Sequence, residues 1–351
     1  MMKINAVDLF CGVGGLTCGM QQAGINVVAG YDIDVRSRFA YEFNNNAKFI
    51  LKDVKEIDNE EINKLYPEDT DIKVLMGCAP CQPFSTYSHK YKDNENTIKK
   101  MDLLDYFGQQ IKYVQPDIVS MENVPQMAKE KVFEKFLKIL KDNKYSVEYK
   151  IVYAPEYGVP QKRKRLLLLA SKLGEIRLLP PQFNEDSFPT LRDTIGNLPR
   201  LKAGETNLED PLHRSRNLSK LNMKRIKQSK PGGTWNDWDE ELLLEAHKRK
   251  TGKTFASVYG RLEWDKPANT ITTQFPGVGN GRFAHPVQDR ALSLREGAML
   301  QTFPRNYLFT DPDCGGNYSI TQVAVQIGNA VPPKLGEIIG ESIKKHLEEF
   351  Y

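Results

Sequence analysis

Cysteine is scarce in this chain, and long apolar runs are missing. The 351 residues contain five cysteines, Cys11, Cys18, Cys78, Cys81 and Cys314. An odd, scattered set of this kind excludes the disulfide framework of a small secreted domain. No apolar stretch approaches the ~18 residues that cross a bilayer, and the first residues lack a signal-peptide pattern. We therefore expect a cytoplasmic protein with no membrane partner.

Cys78 and Cys81 have the Cys-x-x-Cys spacing found in zinc and redox sites. A structural zinc needs two further ligands at suitable spacing, and the sequence has no second pair. A redox pair would open a helix after a strand in a thioredoxin-like unit, which Pro83 and its neighbours fit poorly. The pattern therefore predicts no metal site.

The chain has little excess charge of either sign, but its basic residues are unevenly placed. The formal net charge is +4. Segment 212–230 has no acid and seven bases, Arg214, Arg216, Lys220, Lys224, Arg225, Lys227 and Lys230. The remainder is therefore at 4 − 7 = −3. A local basic patch on a near-neutral body favours a phosphate-binding surface, although a solvated helix face has the same composition.

Short apolar runs alternate with helix-length amphipathic segments through residues 1–170. The predicted strands are 6–10, 27–31, 73–77, 117–121, 147–153 and 166–170, and the predicted helices are 15–23, 35–43, 101–113 and 131–142. Strands this apolar are buried on both faces, which is typical of a parallel sheet covered by helices. The pattern predicts an α/β fold with a doubly wound, mostly parallel, Rossmann-like sheet.

Regularity fades from about residue 201, where glycine, proline, asparagine and charged residues become frequent. Order returns at 290–303 and 321–331, followed by a helix-like pattern at 334–346. We predict one domain over residues 1–200, completed by 320–351. Residues 201–319 form a second, smaller and irregular domain in this prediction.

A glycine-rich turn follows the first predicted strand. Gly12, Gly14 and Gly15 let the backbone approach a ligand closely and open the next helix. Asp32 ends the second strand, where a carboxylate can bind ribose hydroxyls. Thr17 stands where the dinucleotide fingerprint requires glycine, which disfavours a nicotinamide cofactor.

Three further motifs place reactive side chains beside apolar runs. Cys81 follows the strand 73–77 between proline and glutamine, which favours a reactive thiol over the buried apolar role of most free cysteines. Glu122 ends a buried strand, where an unpaired carboxylate is costly. It is therefore either a proton donor or the ion-pair partner of Arg163 or Arg165, whose planar groups also suit a carbonyl or phosphate. Together these side chains predict covalent chemistry on a polar heterocycle.

The motifs and their order resemble the DNA cytosine-5 methyltransferase family, in its compact bacterial or phage form. Six stretches carry the resemblance in chain order: 8–16, 77–85, 122–124, 161–165, 290–304 and 326–333. They are similar, in that order, to the family's first motif, its catalytic loop, its next two catalytic motifs, the motif that supports the recognition domain, and the last motif. The weakly matching stretch, 201–259, lies where the family places target recognition.

The resemblance implies S-adenosylmethionine as the cofactor and no metal. Phe10 would lie at its adenine or methionine part, Asp32 at the ribose, and Asp53 at the adenine amino group, although a lone Asp is more often a helix cap. The implied cofactor contacts are Phe10, Gly12, Gly14, Gly15, Leu16, Asp32, Ile33, Asp53, Val54, Pro80, Asn329 and Val331.

The resemblance also implies the chemistry. A cytosine flipped out of a DNA duplex is attacked at carbon 6 by the thiolate of Cys81, while Glu122 hydrogen-bonds or protonates the ring nitrogen. Carbon 5 then takes the methyl group, and Arg163 and Arg165 position the base carbonyl and the active-site loop. Asn123 helps to hold its motif in place. The implied substrate or DNA contacts are Gln82, Ser85, Asn123, Gln161, Arg214, Arg216, Lys220, Lys224, Arg225 and Lys227.

Three other functions were considered for the same motifs. A transfer-RNA branch of the family carries a Cys-Phe-Thr signature, whereas no cysteine lies between Cys81 and Cys314 here. An inactive DNA-binding relative would not need the complete catalytic set, and Thr17 disfavours an oxidoreductase. We expect double-stranded DNA as the partner of a bacterial, nucleoid-associated monomer. The sequence leaves open whether a cognate restriction endonuclease acts separately or the enzyme acts alone. We also predict that segment 85–99 closes over the base as a lid.

Overall fold

The computed structural model describes residues 2–80, 103–249, 256–314 and 318–351. The strands are β1 Ile4–Leu9, β2 Asn26–Asp32, β3 Lys48–Leu51, β4 Ile72–Gly77, β5 Ile118–Asn123, β6 Ser146–Tyr153, β7 Gln161–Lys162, β8 Lys164–Ser171 and β9 Ala268–Asn269. The helices are α1 Gly15–Gln22, α2 Arg38–Asn45, α3 Leu103–Val114, α4 Lys131–Asp142, α5 Leu191–Ile195, α6 Lys220–Gln228, α7 Glu245–Lys248, α8 Leu294–Leu300, α9 Ile320–Asn329 and α10 Pro333–Leu347.

The described chain divides into two compact units. The first comprises residues 1–157, 164–182 and 330–351, and the second comprises 158–163 and 183–329. The chain thus leaves the first unit at residue 158, returns to it for residues 164–182, and returns again at residue 330. The predicted boundaries place 158–163, 183–200 and 320–329 with the first domain, whereas these residues cluster with the second unit.

The first unit is built on a seven-stranded sheet in the order β3-β2-β1-β4-β5-β8-β6. The first five strands in this order are parallel to one another, which confirms the predicted doubly wound, mostly parallel class. Its central strands are apolar because both faces are buried, and β5 is buried at every residue. The carboxyl ends of the parallel strands therefore share one edge of the sheet, where such folds hold ligands.

Two strands differ from the sequence prediction. β3 was missed as a strand, because an edge strand of four residues with both ends exposed lacks the apolar run of a central strand. β8 runs antiparallel to its neighbours β5 and β6. Only residues 154–163 separate β6 from β8, whereas a parallel connection usually requires a helical crossover of a dozen or more residues.

Helix α10 closes the first unit by packing on α1 through glycines. A Cβ on Gly19 would collide with the Pro333 carbonyl, and one on Gly336 would lie 2.8 Å from the Leu16 oxygen. The two backbones therefore approach more closely than larger side chains allow. Gly24, at φ 84°, ends the α1 segment as predicted, and the N–H of Ile25 bonds back to Met20.

The second unit contains little regular structure beyond short helices and the two-stranded sheet β7-β9. Buried polar groups hold much of it together. The fully buried Arg290 makes a bidentate pair with Glu296, with both N–O distances 2.7 Å. Trp235 stacks on His247 at 4.2 Å between ring centroids. This irregular backbone is fixed by specific side-chain contacts, which a periodicity argument does not detect.

Candidate active site and nucleic-acid surface

The glycine turn of the first unit is bound to the end of β2. Phe10, Gly12 and Gly14 all have left-handed backbones, with φ of 61°, 50° and 87°. The N–H of Gly12 donates to Asp32 Oδ2 at 2.9 Å, and the N–H of Asp34 donates to Oδ1 at 2.8 Å. Burial raises the pKa of Asp32. The structure thus brings the predicted turn and the predicted ribose-binding carboxylate together.

A second carboxyl group lies beneath the turn. Asp8 is buried, and Thr17 Oγ1 donates to its Oδ2 at 2.8 Å. Burial raises the pKa of Asp8 to about 8. Thr17, the residue that breaks the dinucleotide fingerprint, therefore ties α1 to β1. Asp8 was not predicted as a site residue, because an aspartate within an apolar strand does not by itself indicate a functional role.

The remaining predicted cofactor residues of the first unit lie in different environments. Ile33 follows Asp32 and is 71% exposed, which is unusual for an isoleucine. The carboxylate of Asp53 accepts the N–H of Lys55 at 3.0 Å, so it caps a short helical turn. Val54 is buried in the core cluster, which leaves only its main chain for a ligand.

Five more predicted cofactor residues complete the set. Gly15 and Leu16 begin α1 and are buried, and Val331 is buried ahead of α10. Pro80 is half-buried at the end of a described range. Asn329 is exposed as the last residue of α9 and belongs to the second unit.

Glu122 lies in β5 with a different neighbour at each carboxylate oxygen. Its side chain is buried, with 3% exposed, and the Cys78 thiol donates to Oε2 at 2.8 Å. Arg165 Nε lies 2.8 Å from Oε1, an ion-pair distance without the alignment of a hydrogen bond. Among the described residues, Oε1 therefore has a cation beside it but no hydrogen-bond donor aimed at it. A ligand can supply that donor.

Asn123 holds the chain that leads toward Cys81. Its Nδ2 donates to the Ala79 carbonyl at 3.1 Å, and its Oδ1 accepts the N–H of Val124 at 2.9 Å. The side chain is buried, so it agrees with the expected holding role and is not available to DNA. Cys81, Gln82 and Ser85, together with the predicted lid 85–99, lie outside the described residues.

Two predicted site residues belong to the second unit and are buried in it. Arg163 Nη1 donates to the Ile271 carbonyl at 3.2 Å. Gln161 Nε2 donates to the Leu300 carbonyl at 2.8 Å and to Gln301 at 2.7 Å, while its oxygen accepts the N–H of Ile271. The predicted contact of Gln161 with DNA is therefore corrected. Its amide instead anchors segment 158–163 to the unit.

The lysines of the basic segment form a stripe on one helix. Lys220, Lys224 and Lys227 are exposed at spacings of four and three on α6, which places them on one face. No ion pair joins these lysines to an acid among the described residues. The half-buried Arg214 and Arg216 precede the helix, and Arg214 lies over the Tyr318 ring. We call the three lysines of α6 the lysine stripe.

Arg225 departs from the prediction of a phosphate contact. It lies on the opposite face of α6 and is only 5% exposed. Its Nε donates to the Leu242 carbonyl at 2.9 Å, and its guanidinium lies over the rings of Trp238 and Tyr259. Counting charge along the segment could not separate this structural arginine from the exposed lysines. Only the helical period, with Ile226 beside Arg225, carried that signal.

The described residues hold no arrangement of three His, Cys, Asp or Glu side chains suited to a metal ion. Within the same residues, no helix combines the length and the apolar character needed to cross a membrane. Cys78 was considered only as part of a Cys-x-x-Cys pair, and its contact with Glu122 was not predicted. Gly77 pairs with Met121, so the strand register places the next residues, Cys78 and Glu122, side by side.

The chain is similar to known proteins over nearly its whole length. A family model described as C-5 cytosine-specific DNA methylase matches residues 4–345. The chain is 48% identical over 345 residues to "Type II methylase M.HgiDII" of Herpetosiphon aurantiacus, covering 97% of this chain and 95% of that protein. It is 29% identical to "Type II methyltransferase M1.HphI" of Haemophilus parahaemolyticus, covering 98% and 87% of the two chains.

The fold is also found among solved structures. One is described as a DNA modification methyltransferase encoded within an E. coli prophage, with a TM-score of 0.75 and 22% identity. The alignment covers 98% of this chain and 99% of that one, and it shows the fold alone. The family model, by contrast, spans nearly the whole sequence. The chain therefore belongs to the C-5 cytosine-specific DNA methylase family and is a DNA cytosine-5 methyltransferase.

Proposed function

We propose that this enzyme transfers the methyl group of S-adenosylmethionine to carbon 5 of a cytosine flipped out of a short, specific double-stranded DNA sequence. The transfer passes through a covalent bond between Cys81 and carbon 6. The observation that carries the proposal is the environment of Glu122. Its buried carboxylate lies beside Arg165 at the ligand-binding edge of the sheet, with one oxygen open to a donor.

The residues of the first unit fit the proposed cofactor. A Cβ on Gly12 would meet nothing within 4 Å, so the turn has open space above it. The N-cap of α1 is a glycine without a side chain, and the first N–H groups of a helix suit the carboxylate of an amino acid. Asp32 retains lone pairs for ribose hydroxyls, and the exposed Ile33 offers an apolar face to adenine. When bound, S-adenosylmethionine supplies an electrophilic methyl group.

Cys81 activates the cytosine by addition. Its thiolate forms a bond to carbon 6, and the electron pair of the former double bond makes carbon 5 nucleophilic. Carbon 5 accepts the methyl group and then loses its proton to a base. The carbon–sulfur bond breaks, the thiolate leaves with its electron pair, and the aromatic ring is restored. Thiolate is the reactive form, so deprotonation of Cys81 must precede the addition.

Glu122 stabilises the ring while the cysteine is attached. A hydrogen bond or proton at the ring nitrogen accommodates the negative charge that addition develops there. Arg165 holds the carboxylate from one side and directs its planar group toward the base carbonyl. Arg163 positions segment 158–163. The chain enters β8 directly after this segment and reaches Arg165.

The lysine stripe gives affinity for the DNA backbone. Exposed lysines without acidic partners among the described residues neutralise phosphates and release counterions, without reading the sequence. Asn236 is exposed after the buried Trp235, so its amide is available to a base edge. Flipping the cytosine costs a few kcal/mol of stacking and pairing, which these contacts offset. The proposal includes a monomeric enzyme and a separately acting restriction endonuclease.

Bisulfite sequencing tests the proposal in a methylation-free host that expresses the chain. We expect protected cytosines within one short motif and none with a Cys81→Ser control. In vitro, DNA carrying 5-fluorocytosine at that motif should form a denaturation-resistant adduct, because fluorine cannot leave carbon 5 as a proton does. Methylation without an adduct would exclude the covalent route, and protected cytosines in transfer RNA alone would exclude the DNA substrate.

A further inference from the structure

The catalytic motif carries a second thiol, and the structure places it against the catalytic carboxylate. Cys78 lies just beyond β4, three residues before Cys81, and donates to Glu122 Oε2 at 2.8 Å. We propose that Cys78 is a positioning residue for methyl transfer, whose S–H group fixes the orientation of the Glu122 carboxylate. This inference rests on the proposed function of Glu122. It gives Cys78 a positioning role that is separate from the nucleophilic role of Cys81.

The strand register explains why these two side chains meet. β4 and β5 are parallel, and Gly77 pairs with Met121. The following residues, Cys78 and Glu122, therefore project to the same face of the sheet at its carboxyl edge. Glycine at position 77 contributes, because a Cβ there would lie 2.7 Å from the Leu9 carbonyl oxygen and displace the end of β4.

A second contact ties the same two strand ends together. Asn123 Nδ2 donates to the Ala79 carbonyl, and each of these residues directly follows a member of the Cys78–Glu122 pair. Side-chain hydrogen bonds thus join two consecutive positions, one to a carboxylate and one to a backbone oxygen. The Asn123 bond fixes the path of the chain that leads to Cys81. The Cys78 bond is the one that touches the reacting carboxyl group.

The chemistry of the contact sets what Cys78 does. A thiol that donates a hydrogen bond is in its protonated form, so Cys78 serves as a donor and Cys81 remains the nucleophile. The Cys78 thiol donates its hydrogen bond to Glu122 Oε2, while Arg165 lies beside Oε1. The carboxylate can no longer rotate freely, because each of its oxygens has a fixed neighbour. Oε1 is then presented to the cytosine in one orientation.

Simple packing is the competing explanation, since free cysteines are mostly small buried hydrophobes. Cys78 is only half-buried, and its sulfur contacts a polar oxygen of the site. The two explanations differ in the serine variant. Serine keeps a donor at nearly the same place, whereas alanine removes the donor and keeps the apolar β-carbon.

Single-turnover methyl transfer by the full-length enzyme tests the proposal with Cys78→Ala and Cys78→Ser. We expect Cys78→Ala to slow transfer on the order of tenfold, as loss of a hydrogen bond to a charged group implies. Cys78→Ser should restore the rate to within about threefold of the wild type. Cofactor affinity should change less than the transfer rate, since the thiol that is removed bonds to Glu122.

A double-mutant cycle separates positioning from packing. In a Glu122→Gln background, Cys78→Ala should change the residual rate by less than twofold, because the carboxylate it positions is gone. An equal loss in both backgrounds, or Cys78→Ala at the wild-type rate, would overturn the inference.

An infrared measurement checks the contact without using activity. The S–H stretching band that is lost in Cys78→Ala should lie below the frequency of a free thiol and shift upward in Glu122→Gln. An unshifted band would overturn the contact. If the band behaves as expected but the wild-type enzyme transfers no methyl group to DNA, the proposed function fails while the contact stands. If transfer is present and Cys78→Ala leaves it intact, the positioning role alone fails.

Discussion

Arg165 and Glu122 face each other across the antiparallel strands β8 and β5, with Nε 2.8 Å from Oε1. Leu167 is the residue directly opposite Glu122, so Arg165, two residues along β8, lies on the same face of the sheet. Both side chains are largely buried, with 13% and 3% exposed. The sequence left either Arg163 or Arg165 as the partner, and the structure assigns Arg165 to the carboxylate.

Removing Arg165 should therefore impair both stability and catalysis. We expect Arg165→Gln to lower the free energy of unfolding by about 3 kcal/mol, because it leaves a buried carboxylate without its cation. The rate of methyl transfer should fall more than cofactor affinity does, and Arg165→Lys should recover part of both losses. Urea unfolding and single-turnover kinetics give the two numbers. Arg177→Gln is the control, since Arg177 pairs with Glu175 in solvent and should change stability by less than about 0.5 kcal/mol.

Asp32→Asn should weaken cofactor binding without unfolding the protein. The amide retains an acceptor for the N–H of Gly12 or Asp34 but loses the charge and one of two acceptor oxygens. We expect the Kd for S-adenosylmethionine to rise about 10–100-fold, as for loss of a charge-assisted hydrogen bond. Calorimetric titration measures it. Asp34→Asn, whose carboxylate pairs with the exposed Arg36, should bind nearly as the wild type does, and equal losses in both would contradict the role of Asp32.

The lysine stripe should govern the salt dependence of DNA binding. Replacing Lys220, Lys224 and Lys227 by Gln removes three positive charges from one helix face. If each contacts a phosphate, the slope of log K against log salt becomes shallower by about 2 to 3. The affinity should fall similarly for specific and nonspecific DNA, as measured by fluorescence anisotropy at several salt concentrations.

A charge-matched control uses Lys138, Lys141 and Lys345, which are exposed in the first unit. Their replacement by Gln removes the same charge from the protein but not from α6. An equal change in slope would mean that net charge, rather than the stripe, attracts DNA.

His285 should make the second unit sensitive to acid. Burial and the nearby cations Arg290 and Arg261 lower its pKa to about 4 despite Glu296, and its Nδ1 accepts the N–H groups of Val287 and Gln288. The unfolded state therefore binds the proton more readily, so stability falls as pH drops from about 6.5 toward 4.

Between pH 7 and pH 5 this histidine should remove about 2 kcal/mol of stability from the wild type, a loss that His285→Gln should not show. Tryptophan fluorescence during urea unfolding follows the second unit specifically, because Trp235, Trp238 and Trp264 all lie in it. Equal acid losses in the wild type and the variant would assign the effect to other groups. Glu296, whose pKa is lowered to about 2, contributes only at lower pH.

Much of the first unit was predictable from local sequence. The apolar runs at β1, β4 and β5 indicated buried parallel strands, because burial on both faces removes polar positions. Gly24 marked the end of the α1 segment through its left-handed backbone. The edge strand β3 lacked this signal because solvent covers part of it. The direction of β8 was also hidden, since periodicity is the same for parallel and antiparallel strands.

The sequence by itself determined the candidate groups: the glycine turn with Asp32, the cysteine Cys81, the carboxyl group of Glu122 and the paired arginines. These follow from residue type and spacing. Only the tertiary structure decided their partners. It brought Cys78 to Glu122 through strand register, gave Arg165 rather than Arg163 to the carboxylate, and buried Gln161 and Arg225 within the second unit. Charge and chemistry are local properties of a sequence, whereas burial and pairing depend on which distant segments pack together.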